Sequence, residues 1–317
     1  MLNNQVNKDL DARRPAGVFP SLFQVFLSFL WGGNHVSIKT TLDYSGPLQV
    51  AWMRFALGIL VTFSFMSLRR DSFSVSMREI RPIFIIGLLF CAQIVFMNYG
   101  QDFTTAGHAT ALNATYPIWA AVIAHFVVPG DALSRWRILA MGLSYSGVLS
   151  IVLLDSVIIG INSEGATVRG DILSLISAVL LGSRLVLMSN FAQKISEAKI
   201  MFYQLLFGIA TFFVSSYFFE SPTYTLEIRF WQGLLYQGLV IAGFGFISNA
   251  WLMKRYLPST ITFFSFVNPP AGVMLSWFIL GEEAGIGLLI GLAFVVAGII
   301  VFGGESYINT KRLEFSR

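Results

Sequence analysis

PSTITFFSFVNPPAGVMLSWFILGEE, residues 258–283, is apolar over about the length that crosses a bilayer, yet carries Pro269 and Pro270 near its centre. Proline lacks the amide donor and crowds the carbonyl four residues earlier, so the interior of a soluble helix excludes it. The stretch opens on Pro258-Ser259 and stops at Gly281-Glu282-Glu283. Residues 104–131, TTAGHATALNATYPIWAAVIAHFVVPGD, echo it, with a small polar start, Pro117 near the middle and a Gly130-Asp131 stop. Paired, proline-interrupted apolar helices in corresponding places of two halves point to a binding site at the bilayer midplane.

Composition agrees with a membrane setting. Of 317 residues, 55% are hydrophobic and 12% charged, with mean hydropathy +0.70, whereas soluble domains carry about 25% charged residues. The single Cys91 excludes an internal disulfide framework. A net charge of +4 and a pI near 9.2 raise the question of nucleic acid, but the basic residues are scattered through short loops, so no nucleic-acid partner is expected. The lipid bilayer is the expected surrounding, and 28 glycines imply close helix contacts.

Residues 1–19 read as a polar cytoplasmic lead. The apolar run that follows lacks a clear cleavage site and ends in polar residues, so it reads as a retained helix and not as a signal peptide. Apolar stretches at roughly 20–40, 47–68, 82–101, 104–128, 136–154, 170–192, 199–219, 230–253, 258–280 and 285–303 predict ten membrane helices. With the N-terminus inside, the inner segments hold Lys8, Arg13, Arg14, Arg69, Arg70, Arg78, Arg81, Arg135, Arg137, Lys194, Lys199, Lys254, Arg255, Lys311, Arg312 and Arg317. That is 16 of the 21 basic residues. The bias predicts both termini in the cytoplasm.

The halves repeat. An offset of 150 places Gly32 on Gly182, Arg54 on Gln204 and Gly58 on Gly208; an offset of 151 places Gly130-Asp131 on Gly281-Glu282, and 153 places Pro117 on Pro270. Five helices per unit is an odd number, so the second unit is inverted in the membrane, a common plan of secondary transporters. The predicted fold is an all-α polytopic membrane protein of ten helices in two inverted five-helix repeats. Repeat one covers 20–154 and repeat two 169–303, with a cytoplasmic tail at 304–317.

WGGNHVSIK, Trp31 to Lys39, followed by Pro47 and by Arg54-Phe55, resembles the opening of the EamA-type family within the drug/metabolite transporter superfamily. Pro270 and Leu280-Gly281-Glu282 resemble that family's closing segment. Val128-Pro129-Gly130-Asp131 departs from its usual Leu-Gly-Glu in the first half, and His35 stands where the family varies. The resemblance implies a ten-helix carrier, typically a bacterial inner-membrane exporter of amino acids or other small metabolites. It leaves the solute open.

Residues placed at 100° per position give the candidate lining. The first helix presents Gln24, Ser28, Trp31, His35 and Lys39 as one stripe, and the cavity candidates there are Trp31, Asn34 and His35. The second contributes Arg54 and the third Gln93 and Met97. The fourth presents His108, Thr115 and Trp119 together, with Asn113 and Pro117 opposite. The sixth presents Ser174, Ser177, Arg184 and Met188, and the ninth Thr262, Ser265, Pro269, Gly272 and Ser276. Such stripes face the bundle, where they either meet a solute or bond neighbouring helices. The prolines leave the carbonyls of Asn113, Ser265 and Phe266 without their helical donors, and in a bilayer these must face protein, water or ligand. Prolines that merely kink a helix are the other reading.

Arg54 and Arg184 each cost about 2.5–3.5 kcal/mol at a helix centre. Each either holds a solute carboxylate bidentately or bonds helix-end carbonyls as a structural group. His35 and His108 are either proton sites or hydrogen-bonding core residues. All seventeen acids fall in loops or at helix ends, so the interior carries Arg, His and Lys but no carboxylate. That composition favours an amino acid or related carboxylate-bearing solute over a cationic drug.

Asn113-Ala114-Thr115 matches a glycosylation sequon but lies inside a predicted helix. Gly287 and Gly291 form a GxxxG that serves either packing within the fold or a homodimer through the tenth helix. HExxH, P-loop and cysteine-cluster patterns are absent, so neither metal nor cofactor is expected and the chain does not read as an enzyme. The leading expectation is a secondary transporter exporting such a solute by alternating access around a midplane cavity. The competing ones are a facilitator or importer of a nucleobase-like or sulfonium solute and, more remotely, an intramembrane enzyme. The latter would need a paired nucleophile and base.

Overall fold

A computed structural model describes residues 13–103, 112–159, 167–221, 227–280 and 286–315. The described chain is all-helical apart from one isolated bridge, Arg14 to Tyr256. Its helices are α1 (Val18–Leu42), α2 (Pro47–Arg69), α3 (Met77–Phe103), α4 (Tyr116–Val127), α5 (Arg135–Ile159), α6 (Val168–Phe191) and α7 (Glu197–Phe219). There follow α8 (Ile228–Arg255), α9 in three pieces (Pro258–Phe263, Phe264–Val267, Asn268–Leu280) and α10 (Ile286–Phe315). Among the described residues, five helices are long and apolar enough to cross a membrane: α2, α6, α7, α8 and α3 as far as Gly100. Large apolar side chains such as Leu68, Phe84, Phe126, Phe213 and Ile300 are exposed around the bundle, while Gln24, Thr62, Ser177, Gln204 and Gln237 are buried in it. So much exposed apolar surface suits an apolar solvent.

The contacts follow one rule. Helix α1 packs on α8 and α9, and α6 packs on α3 and α4; α2 meets α7 and α8, and α7 meets α2 and α3; α5 pairs with α10. Advancing each helix by five returns the same set of pairs, as two repeats related by a pseudo-twofold require. The pairs on that axis are antiparallel. In α5–α10, Gly147 lies against Gly291 while Gly298 lies against Ser144 and Ala140. Gly291 and Gly298 of α10 thus face α5. In α2–α7, the Glu220 carboxylate accepts from the amides of Leu48 and Gln49 at 2.8 Å, and the Ser196 hydroxyl donates to Asp71 at 2.9 Å. Each helix thus starts beside an acid just past the end of its partner; Glu220 satisfies first-turn amides left over by helix geometry, while Asp71 holds the hydroxyl of the residue that precedes α7.

Several boundaries differ from the expected ones. Helix α3 starts at Met77, before Pro82, because the Glu79 carboxylate accepts from the Ser76 amide at 2.8 Å as half of a capping box. Helix α10 runs on through Phe315: no glycine there adopts positive φ, and no proline follows to stop it. The larger difference lies in the proline-bearing helices. Residues 112–113 are helical, the chain turns at 114–115 and α4 opens at Tyr116 with Pro117 in its first turn, while α9 is broken by a 3-10 stretch at Phe264–Val267, with Pro269 and Pro270 opening its third piece. The prolines do not bend continuous helices. They start new ones, where no amide donor is required. Residues 104–111, which include His108, lie outside the described residues.

One end of the bundle is bound together by charge. Glu197, 1% exposed, takes Lys254 at 2.8 Å, Arg69 at 3.1 Å and Arg255 at 3.7 Å. Lys199 pairs with Glu79 at 3.1 Å. Buried Asp131 takes Arg137 at 2.9 Å and the Ser259 amide at 3.0 Å, and accepts from the Ser259 hydroxyl as well. The lead joins this end: Arg14 exchanges backbone hydrogen bonds with Arg255 and Leu257, and Arg13 donates to Ser189 and Asn190.

Candidate functional site

A central cavity of about 160 Å³ lies between the two repeats. Helices α1, α2, α3, α6, α7 and α8 form its wall, together with the start of α4 and the start of the third piece of α9 with the segments leading into them. Glycines let the helices approach closely enough to enclose it. A β-carbon on Gly32 would lie 2.6 Å from the Gly272 nitrogen, and one on Gly182 would lie 2.8 Å from the Ala120 nitrogen. Both contacts are to backbone, so a larger residue separates α1 from α9 or α6 from α4. A third such approach is Gly238 of α8 against Leu57, inside a π-helical stretch, Tyr236–Gly245, that carries Gln237 into the wall. π-Helical segments are rare and recur at functional sites.

Nine of the fourteen residues selected from sequence line the cavity: Trp31, Asn34, Arg54, Gln93, Met97, Asn113, Arg184, Ser265 and Pro269. Thr115, Trp119 and Thr262 do not. The Trp119 indole donates to Thr115 at 3.2 Å, and Thr115 donates to the Leu112 carbonyl at 2.6 Å, a local chain at the start of α4. Thr262 donates back to the Pro258 carbonyl at 2.8 Å. The selected faces assumed one uninterrupted helix on each side of the breaks. A 3-10 turn advances 120° per residue and not 100°, so the stripe Thr262-Ser265-Pro269-Gly272 is split: Ser265 and Pro269 reach the cavity and Gly272 backs onto Gly32. His108 and the side chain of His35 lie outside what is described.

The carbonyls expected to be free find protein partners in part. Of these, the Ser265 carbonyl accepts from the Asn268 amide; the neighbouring Phe264 carbonyl, not among those expected, accepts from Ser28 at 3.2 Å. Side chains missed by the sequence reading are Tyr116, Asn268, Gln237 and Asn249, all in the wall. Two of them carry a usable signal, since Tyr116 precedes Pro117 and Asn268 precedes Pro269. A residue opening a proline-started helix points into the gap between the pieces. Gln24 links three elements, accepting from Asn249 at 3.4 Å and donating to Ser265 at 3.2 Å.

Electrostatically the wall is unusual. Arg54 and Arg184 are 7% and 6% exposed, and no carboxylate is among the described lining residues. Arg184 donates to Gln204 at 2.7 Å and lies over the Phe90 ring. Arg54 lies over the Phe55 ring at 4.8 Å, and its Nε has no hydrogen-bond partner. The Arg184 Nε, Asn34 Oδ1, Gln237 Oε1 and Asn268 Oδ1 are likewise buried without a partner. Unpaired buried polar atoms each cost about 1–3 kcal/mol, and native proteins hold few. Five of the eight such atoms among the described residues line this one cavity. Aromatic rings complete the wall: Trp31 stacks on Phe246 at 6.2 Å, and Phe90 meets Phe246 edge-on at 6.1 Å.

A helical bundle with an apolar belt, a pseudo-twofold and a polar central cavity defines a class, the repeat-built membrane transporters. Within it, the model of the EamA-like transporter family matches residues 19–153 and again 168–304, so the chain belongs to that family. It is 22% identical to "Uncharacterized transporter YoaV" of Bacillus subtilis over 87% of this chain and 94% of that one. It is 24% identical to "Uncharacterized inner membrane transporter YedA" of Escherichia coli over 90% and 88%. One solved crystal structure superposes with a TM-score of 0.78 over 94% of this chain and all of its own at 17% identity, a likeness of fold alone. The protein is a multi-pass membrane transporter.

Proposed function

We propose that this transporter exports an amino acid or related carboxylate-bearing solute across a bacterial inner membrane by alternating access around the central cavity. In this reading ten segments cross the bilayer in two inverted repeats, and the charge-bound end with both termini faces the cytoplasm, as the placement of basic residues favours. The observation that carries the proposal is the pair of buried guanidinium groups, each with an unpaired Nε, in a wall whose described residues include no carboxylate. A solute carboxylate supplies what they lack, since two parallel N–H···O bonds fit its geometry. The volume holds about five waters at roughly 30 Å³ each, which suits a solute of amino-acid size.

A second reading, import or facilitated diffusion of a planar nucleobase-like solute, draws support from the Trp31–Phe246–Phe90 cluster. A sulfonium solute fits less well, because both fixed charges in the wall are positive. Transport into proteoliposomes, tested against amino acids, nucleobases and organic cations with and without a pH gradient, separates these. Carboxylate-bearing solutes are expected to move, and Arg54→Gln and Arg184→Gln each to slow them about 10- to 100-fold, the worth of a charged hydrogen bond. Movement of lipophilic cations with no carboxylate transported would overturn the proposal.

A further inference from the structure

We infer that Arg54 and Arg184 form an alternating pair, in which each access state latches one guanidinium to an amide side chain of its own repeat and releases the other into the cavity. The inference rests on the alternating-access reading above and assigns roles to Asn34 and Gln204, neither of which need touch the solute.

The register comes first. Gly32 and Gly182, 150 residues apart, do the same job in the two repeats, bringing α1 onto α9 and α6 onto α4. The same offset carries Asn34 to Arg184 and Arg54 to Gln204. Each repeat therefore holds one arginine and one amide at the same two positions, with the types exchanged. In repeat two the pair is joined, Arg184 Nη1 to Gln204 Oε1 at 2.7 Å. In repeat one it is open, since the Asn34 Oδ1 and the Arg54 Nε are both buried without a hydrogen-bond partner. One design is thus present twice, in two conditions.

Inverted repeats convert such an asymmetry into a cycle, because the opposite-facing state arises when each repeat takes up the other's conformation. Applied here, that exchange joins Arg54 to Asn34 and frees Arg184 from Gln204. One charge-assisted hydrogen bond is broken as another of the same kind forms, so the two states stay close in free energy, as a cycling carrier needs. The released arginine is the one available to a solute carboxylate. It lies on α6 in one state and on α2 in the other, so the solute is passed between repeats as access changes. The latching amides position the arginines.

The test reads side-specific access in a Cys91→Ser background with a single cysteine introduced at Met97 or Met201, cavity residues on α3 and α7. Labelling by a membrane-impermeant maleimide is compared in right-side-out and inside-out vesicles. Gln204→Leu removes the latch seen here and Asn34→Leu removes the other one, so the ratio of labelling from the two sides is expected to move about tenfold in opposite directions. Gln204→Glu keeps the shape, strengthens the latch and is expected to act in the same direction as Asn34→Leu, which covers the case that a leucine variant does not insert. Shifts of the same sign, or ratios within twofold of the parent, would overturn the inference. Labelling needs no solute: opposite shifts without carboxylate transport would sink the solute assignment and leave the pair standing, while carboxylate transport with same-sign shifts would do the reverse.

Discussion

The charge-bound end of the bundle and the central cavity both bury ionised groups, and they do so in opposite ways. At the end, Glu197 is almost fully buried but surrounded by Lys254, Arg69 and Arg255, and Asp131 is held by Arg137 and Ser259. In the cavity, Arg54 and Arg184 are about as buried, yet face rings and amides and retain unpaired nitrogens. Charges that serve architecture are neutralised where they stand. Charges kept short of partners are costly to the fold, and their retention is explained by something that arrives later.

The comparison can be broken most forcefully at Glu197. Glu197→Ala leaves three cations around an apolar gap and is expected to cost about 2–4 kcal/mol, less than a fully buried pair because its cations reach solvent. Thermal unfolding in detergent measures this, and a loss below about 0.5 kcal/mol would remove the distinction between the regions. Arg54→Gln should show the reverse profile. Stability is expected to hold or rise, since a desolvated charge is removed, while carboxylate transport falls by one to two orders of magnitude. A variant that unfolds but still transports would make Arg54 structural.

A smaller effect is expected at Gly32→Ala, where the added carbon meets α9 backbone at 2.6 Å. The cost is about 1–3 kcal/mol, read as a lowered Tm with transport reduced in proportion to folded protein. The smallest is at Glu220→Gln, which weakens the cap on α2 by about 1 kcal/mol and should leave the solute's KM unchanged.

Much of this was legible in the sequence, for reasons that can be named. An apolar stretch of some twenty residues forms a helix in any apolar solvent, because its amides have no other partners, so the helix order followed from composition alone. The intramembrane arginines stood out because their insertion is expensive. Helix faces across the proline breaks were not legible, since phase carried through Phe264–Val267 assumes a pitch that the 3-10 turn abandons. That is why the helical phase points to Thr262 and not to Asn268. Tyr116 escaped for the same reason, because the chain turns at 114–115 and a helix reopens at the residue before the proline.

By itself, then, the sequence determined a repeat-built helical membrane protein with two interior guanidinium groups and a family to which it belongs. Hydrophobicity, charge cost and internal offsets are properties of the chain and survive without coordinates. Only the tertiary structure decided that Arg184 meets Gln204 while Arg54 does not meet Asn34, and that five unpaired polar atoms gather in one cavity. Pairing across helices depends on the distance between side chains brought together by close-packed glycines, and no spacing along the chain encodes which of two equivalent pairs is closed.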